Sequence, residues 1–181
     1  GNASYYYSYT RLSAAGTVEV DGEPVSVTGS AWLDREWSTS ALSPGQVGWD
    51  WFALQLSDGS DLMVYQLRRD DGTPDPFSAG VVVGPAGEAV SLASGDVLLE
   101  STGEWASPLD GAVYPSGWRV RVPSAALDLR VAPVLADQEL DVSFRYWEGA
   151  VDVEGAAGGR PVSGRGCGAL PGFLLYPSDR A

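Results

Sequence analysis

The 181-residue chain contains no histidine and a single cysteine, Cys167. Those two shortages exclude a Cys/His zinc site, an intramolecular disulfide and a histidine-based catalytic triad. Lysine is missing as well, so all 11 basic residues are arginine, which keeps its proton at ordinary pH. Acid–base chemistry must therefore fall to carboxylates, tyrosines or water held by arginine. The arginines are scattered among 24 acidic residues, for a formal net charge of -13. Binding to nucleic-acid phosphates needs clustered Lys and Arg, so nucleic acid is not an expected partner. No apolar run approaches the roughly 18 residues of a membrane helix, and no transmembrane segment is expected. No cofactor or metal is implied by any spacing of residues. The chain also lacks a starting Met and a signal peptide and opens almost at once on Tyr5-Tyr-Tyr-Ser-Tyr9, so it reads as a fragment or mature piece of something longer. Asn2-Ala3-Ser4 fits the N-glycosylation pattern, a motif short enough to recur by chance.

Hydrophobic residues at 44% and charged residues at 19% describe an ordinary globular protein, and the length suits one domain spanning residues 1–181. No window of a dozen residues keeps a helical period free of Gly and Pro, whereas β signals recur throughout, so the expected class is all-β. Asp21-Gly22 between Thr17–Val20 and Glu23–Val27, and Asp58-Gly59 between Trp49–Ser57 and Asp61–Arg68, are two-residue turns whose twist matches a hairpin. Short strands follow at 79–83, 88–92, 97–101, 118–122, 127–131 and 146–153 with turns between them. Arg119, Arg121, Asp128 and Arg130 fall on solvated or cavity-facing sides of that pattern, a plain solvent face being the commoner case. Such closely spaced strands predict an antiparallel β-barrel or strongly curved sheet of roughly eight to ten strands, because closure removes exposed edges. Residues 167–181, with Pro171 and Pro177, show no clear alternation, and Cys167 reads as an inert, partly buried thiol.

Three segments carry chemistry. In Ser30–Ser38, strand geometry puts Leu33, Arg35 and Trp37 on one face and Trp32, Asp34 and Glu36 on the other. That pattern fits either the wall of a polar, aromatic-lined cavity or an edge strand with a salt-bridge ladder. In Trp49–Leu56, Asp50 ends the apolar row Phe52, Leu54 and Leu56, opposite Trp49, Trp51, Ala53 and Gln55. If that row faces inward, burial raises the Asp50 pKa and suits it to general-acid work; otherwise Asp50 caps a strand end in water. In Tyr146–Val153, Glu148 stands between Tyr146 and Ala150 on one face, with Trp147, Gly149 and Val151 on the other. Gly149 leaves room for a close neighbour.

The ordered motifs Tyr5-Tyr-Tyr-Ser-Tyr9, Gly29-Ser-Ala-Trp-Leu-Asp-Arg-Glu-Trp-Ser38, Gly48-Trp-Asp-Trp-Phe52, Asp137-Gln-Glu-Leu140 and Tyr146-Trp-Glu-Gly-Ala-Val151 resemble the C-terminal half of the carotenoid 1,2-hydratase (hydroxyneurosporene synthase) and AttH-like superfamily. The resemblance implies a lipocalin-like β-barrel, an N-terminal lipocalin-like partner domain outside this chain, and a periplasmic or secreted location. It also implies an apolar isoprenoid or polyketide-like ligand, since fungal relatives include intramolecular Diels–Alderases. The matching chemistry is that of a hydratase-type lyase, in which Asp50, Glu148 or Asp34 would protonate a C=C bond, aromatic faces would shield the cation and water would capture it, or of a cyclase that folds a polyene or polyketide into a reactive shape with Arg35 and Trp37 and needs no titrating group. Arg35, Trp37, Trp49, Trp51, Tyr65, Tyr146 and Trp147 are the implied ligand-binding residues. Two departures stand out: Arg35 occupies the place of a family His, and residues 167–181 match the family's closing strand poorly. The competing function is a non-catalytic extracytoplasmic binding module associated with an export system. A duller third is a purely structural partner for the missing barrel.

Overall fold

The computed structural model describes residues 4–38, 42–142 and 145–171. Asn2, Ala3 and everything beyond Pro171 lie outside the described residues, including Pro177 and most of the segment with unclear alternation. The chain divides into two compact units, residues 1–41 and 42–181.

The first unit is one long antiparallel hairpin, β1 (Ser4–Val20) and β2 (Glu23–Ser38). Asp21 and Gly22 both take positive φ, +52° and +84°, which is what a mirror-image two-residue turn requires. A bulge between Tyr9 and Leu12 places one extra β1 residue opposite Trp32. It has a consequence legible in the sequence: apolar residues sit at odd positions up to Tyr9 and at even positions from Leu12 onward. The extra residue restores the phase, so Tyr5, Tyr7, Tyr9, Leu12, Ala14, Val18 and Val20 all stand on one face.

In the second unit β3 (Gln46–Leu56), β4 (Asp61–Arg69), β5 (Ala79–Val83), β6 (Ala89–Ala93) and β7 (Leu98–Ser101) are followed by a small separate hairpin of β8 (Glu104–Ala106) and β9 (Val113–Pro115). Then come β10 (Trp118–Val122), β11 (Leu127–Pro133), β12 (Glu139–Asp141), β13 (Arg145–Ala157) and β14 (Arg160–Pro171). The main sheet runs β6-β5-β4-β3-β14-β13-β11-β10-β7, all antiparallel, with β12 on the free end of β13. The only helical pieces among the described residues are single 3-10 turns at Ser94–Asp96 and Pro123–Ala125.

The all-β class is as expected, but the closed barrel is not: among the described residues β6 and β7 do not pair, so the sheet is open. It is nevertheless strongly curved. The two edge strands are consecutive in sequence, linked by residues 94–97, and side chains from both ends of the sheet share one core. Phe52, Leu54, Leu56, Leu62, Val64, Leu92, Trp118, Val120, Leu129, Val131, Val151 and Val153 belong to it. What permits the curvature is β14, whose inward positions are Gly164, Gly166 and Gly168, paired with Leu56, Leu54 and Phe52. A Cβ on Gly168 would lie 2.9 Å from Phe52 Cε1, so the larger side chains of β3 occupy the space that β14 leaves empty.

Candidate functional site

The Asp58-Gly59 turn fixes the β3–β4 register, which pairs Leu54 with Leu62, Asp50 with Gln66 and Gly48 with Arg68. Paired residues share a face, so Asp50, Gln66 and Arg68 continue the inward row of Phe52 and Val64 toward one end of the sheet. Asp50 is 6% exposed and therefore ends that row inside the protein, not in water. Its Oδ2 lies 3.5 Å from Arg68 Nε. Arg68 in turn donates from Nη2 to the Trp49 carbonyl at 3.1 Å. The other carboxylate oxygen, Oδ1, is buried and has no hydrogen-bond partner among the described residues. Burial pushes the Asp50 carboxyl above its ordinary value, against the opposing pull of the Arg68 guanidinium. A carboxyl group held this way keeps its proton at higher pH than usual.

Sequence reasoning singled out Asp50 but not Arg68. Counting outward from a two-residue Asp58-Gly59 turn would have set Arg68 opposite Trp49 on the other face; the hairpin closes instead through the three residues 57–59, with the Leu56 N–H donating to the Ser60 carbonyl, and that register puts Arg68 one inward position beyond Gln66.

The other proposed residues separate into distinct groups. Trp147 shares the inward face but is closed into the core: its ring centroid is 5.9 Å from that of Trp118, and its Nε1 donates to the Ala136 carbonyl at 2.9 Å. On the opposite face, the pairings Tyr65–Trp51, Trp51–Ala169 and Ala169–Glu148 form one transverse row across β4, β3, β14 and β13. Trp51, Tyr65 and Glu148 are all half-buried, with small Ala169 between the aromatic pair and the carboxylate. Tyr146, also half-buried, donates to Glu148, and that bond pushes its phenol pKa up. Trp49 lies on this face as well, paired with Leu67. The structure thus puts Asp50 on one side of the sheet and Glu148 with Trp49, Trp51, Tyr65 and Tyr146 on the other. The close neighbour admitted by Gly149 is the Gln138 side chain, whose amide bonds both the N–H and the carbonyl of Ala150.

Asp34, Arg35 and Trp37 belong to the first unit. Asp34 accepts a hydrogen bond from Ser8. The Arg35 guanidinium stacks over the Trp37 ring, 5.2 Å from its centroid, and Trp37 packs on Tyr7 at 5.8 Å. The cation beside Asp50 is Arg68. A shallow hollow of about 350 Å³ lies against the hairpin, lined by residues 14–18 and 27–30. In the second unit, a gap of about 10 Å³, room for one water, is lined by Val64, Gln66, Ser78 and Ser94 among others. The interior of the curved sheet is filled by Phe52, Trp118, Trp147 and their aliphatic neighbours, with the Phe52 and Trp118 rings 5.0 Å apart. No helix among the described residues is long and apolar enough to cross a membrane.

A crystal structure of an AttH protein from Nitrosomonas europaea is similar to the chain at 36% identity and a TM-score of 0.81, covering 94% of this chain and 53% of that one. Kievitone hydratase from Nectria haematococca shares the fold at 20% identity and a TM-score of 0.76, over 96% of this chain and 54% of the other. The chain therefore spans about half the length of each of these structures. No curated protein matches it. The profile of the AttH-like family matches residues 1–173, and the chain belongs to the AttH-like family.

Proposed function

We propose that this chain is the C-terminal, lipocalin-like half of a carotenoid 1,2-hydratase-like protein. In this reading it works beside an N-terminal lipocalin-like domain, in an extracytoplasmic compartment, on an apolar isoprenoid or polyketide-like ligand. The observation that carries the proposal is Asp50: a buried carboxyl with a raised pKa, one oxygen facing Arg68 and the other without a partner. In hydration, the Asp50 proton adds to one carbon of a C=C bond and the π pair forms the new C–H bond. The cation left on the neighbouring carbon is captured by water, and the oxonium proton returns to the carboxylate. Arg68 stabilises the carboxylate formed between those two steps. Cyclisation starts from the same protonation, with an internal alkene in place of water as the nucleophile; the new ring cation then loses a proton to the Asp50 carboxylate and leaves a C=C bond. That a hydratase shares the fold agrees with the proposal. Because the sheet interior is filled around Phe52 and Trp118, the ligand is expected at the Asp50 end of the row.

The chain alone is expected to bind long conjugated ligands and to turn over little, lacking the neighbours that orient substrate and water. The test follows tryptophan fluorescence during titration with a retinoid, with products sought by mass spectrometry. Absence of quenching refutes ligand binding. A water-addition product lost in Asp50→Asn but retained in Glu148→Gln assigns the acid to Asp50, and the reverse pattern assigns it to the other face of the sheet. The non-catalytic carrier reading predicts quenching that Asp50→Asn leaves unchanged and no product even when the partner domain is supplied.

A further inference from the structure

We infer that the apolar face of the β1–β2 hairpin is the docking surface for the partner domain, packing flat against an apolar sheet face of that domain. The inference rests on the two-half reading above and names the surface that joins the halves. The bulge after Tyr9 keeps Tyr5, Tyr7, Tyr9, Leu12, Ala14, Gly16, Val18 and Val20 in phase, and the β2 residues paired with them are Trp37, Arg35, Leu33, Ala31, Gly29, Val27, Val25 and Glu23. Arg35 and Glu23 are the only charges on this face, and Arg35 lies over Trp37. The opposite face carries Ser8, Ser13, Thr17, Glu19, Ser26, Thr28, Ser30, Asp34 and Glu36, together with two half-buried aromatics, Tyr6 and Trp32.

The large apolar residues of the first face are 39 to 80% exposed, Leu12 least and Tyr5 most. Together they present on the order of 800 Å², about what one partner contributes to a standard protein interface. An isolated two-stranded hairpin is marginal in water, and an apolar face of this size on a monomer marks an interaction site. Strands of 17 and 16 residues reach on the order of 50 Å, enough to cross the whole width of a second sheet. The choice of occupant comes from length: the two solved relatives carry nearly as much chain again beyond the matched half. Flat packing of the hairpin on a sheet of that remainder would bury the face as in a β-sandwich.

The experiment co-expresses this chain with the portion of the Nitrosomonas europaea protein outside the matched region and measures stoichiometry by size exclusion with light scattering. Val18→Glu with Val27→Glu charges the apolar face at two exposed positions that do not pair with each other; Thr28→Glu charges the polar face as the control. Circular dichroism checks that each variant keeps its strands. The expected result is a one-to-one complex weakened at least tenfold by the Val18→Glu, Val27→Glu pair and unchanged by Thr28→Glu. A complex insensitive to the pair overturns the face while leaving the two-half reading intact. Failure of the unsubstituted chain to form any complex overturns both. A homodimer of the chain alone that the pair abolishes would assign the face to a second copy and overturn the choice of partner.

Discussion

Gly168 tests whether the curvature of the sheet depends on glycines filled from the neighbouring strand. Replacing it with Ala puts a Cβ 2.9 Å from Phe52 Cε1, closer than real contacts allow, and a tight 3.1 Å from Cδ1. The Phe52 ring cannot swing away freely, because it is fully buried and stacked edge-on against Trp118 at 5.0 Å. Overpacking of this kind costs ~1–3 kcal/mol, and we expect about 2 kcal/mol here. Phe52→Leu by itself removes the outer ring carbons and should also cost about 2 kcal/mol at ~0.8 kcal/mol per buried carbon. In the double variant the added methyl occupies space the ring has vacated. The two effects should therefore fall short of additivity by about 1–2 kcal/mol. Urea denaturation of the wild type, the single variants and the double variant completes the cycle, with m-values checked for constancy. Additivity within about 0.5 kcal/mol would show that Phe52 and Gly168 do not share the space, and the account of how β14 lets the sheet bend would be wrong.

The Asp50 pKa is raised above 3.8, so the folded state holds this proton more tightly than the unfolded chain. Its contribution is fully present below the ordinary carboxylate value and is lost as pH rises through the folded value, by about 1.4 kcal/mol per unit of displacement. Wild type should consequently lose stability relative to Asp50→Asn as pH rises, and urea midpoints that run parallel at all pH values would refute the burial argument. Any acid-dependent turnover should fall over the same pH range, measured as product formed per unit time. Tyr114 donates to the buried Glu139 at 2.6 Å, and burial together with that carboxylate drives its phenol pKa up. Tyr114→Phe should destabilise by ~1.5–3 kcal/mol, as expected for a bond to a charged group, and thermal melting would detect it. Arg35→Leu removes a cation–π stack on an exposed ring and should change stability by no more than ~1 kcal/mol while altering Trp37 emission; a larger loss would mean that Arg35 holds a buried partner.

Much of the fold follows from local signals. Asp21-Gly22 sets the register of its hairpin because its backbone twist is a property of two residues, whereas the Asp58-Gly59 hairpin closes through the three residues 57–59, one residue out of register from a two-residue turn. The Asp50, Phe52, Leu54, Leu56 row was visible as alternation, and the solvated arginines of β10 and β11 are indeed exposed or half-exposed, Arg119 bonding Asp128 at 2.7 Å. The extension of β14 through Leu170 was not visible. Its inward positions are glycines, and the side chains filling them belong to β3, about a hundred residues earlier, so no hydrophobic period exists in the segment itself.

For the site, composition by itself ruled out histidine catalysis, a Cys/His zinc site and an intramolecular disulfide and left the carboxylates, since no folding can supply an absent side chain. Alternation placed Asp50 at the end of an apolar row, and strand parity separated it from Trp51. Only tertiary structure decided that the row is buried, that Arg68 is the cation beside Asp50, and that Trp147 belongs to the core while Glu148 faces the other side of the sheet. Burial raises a carboxyl pKa through the dielectric of everything packed around it, and a cross-strand ion pair depends on register between separate segments. Neither quantity resides in any single stretch of the chain.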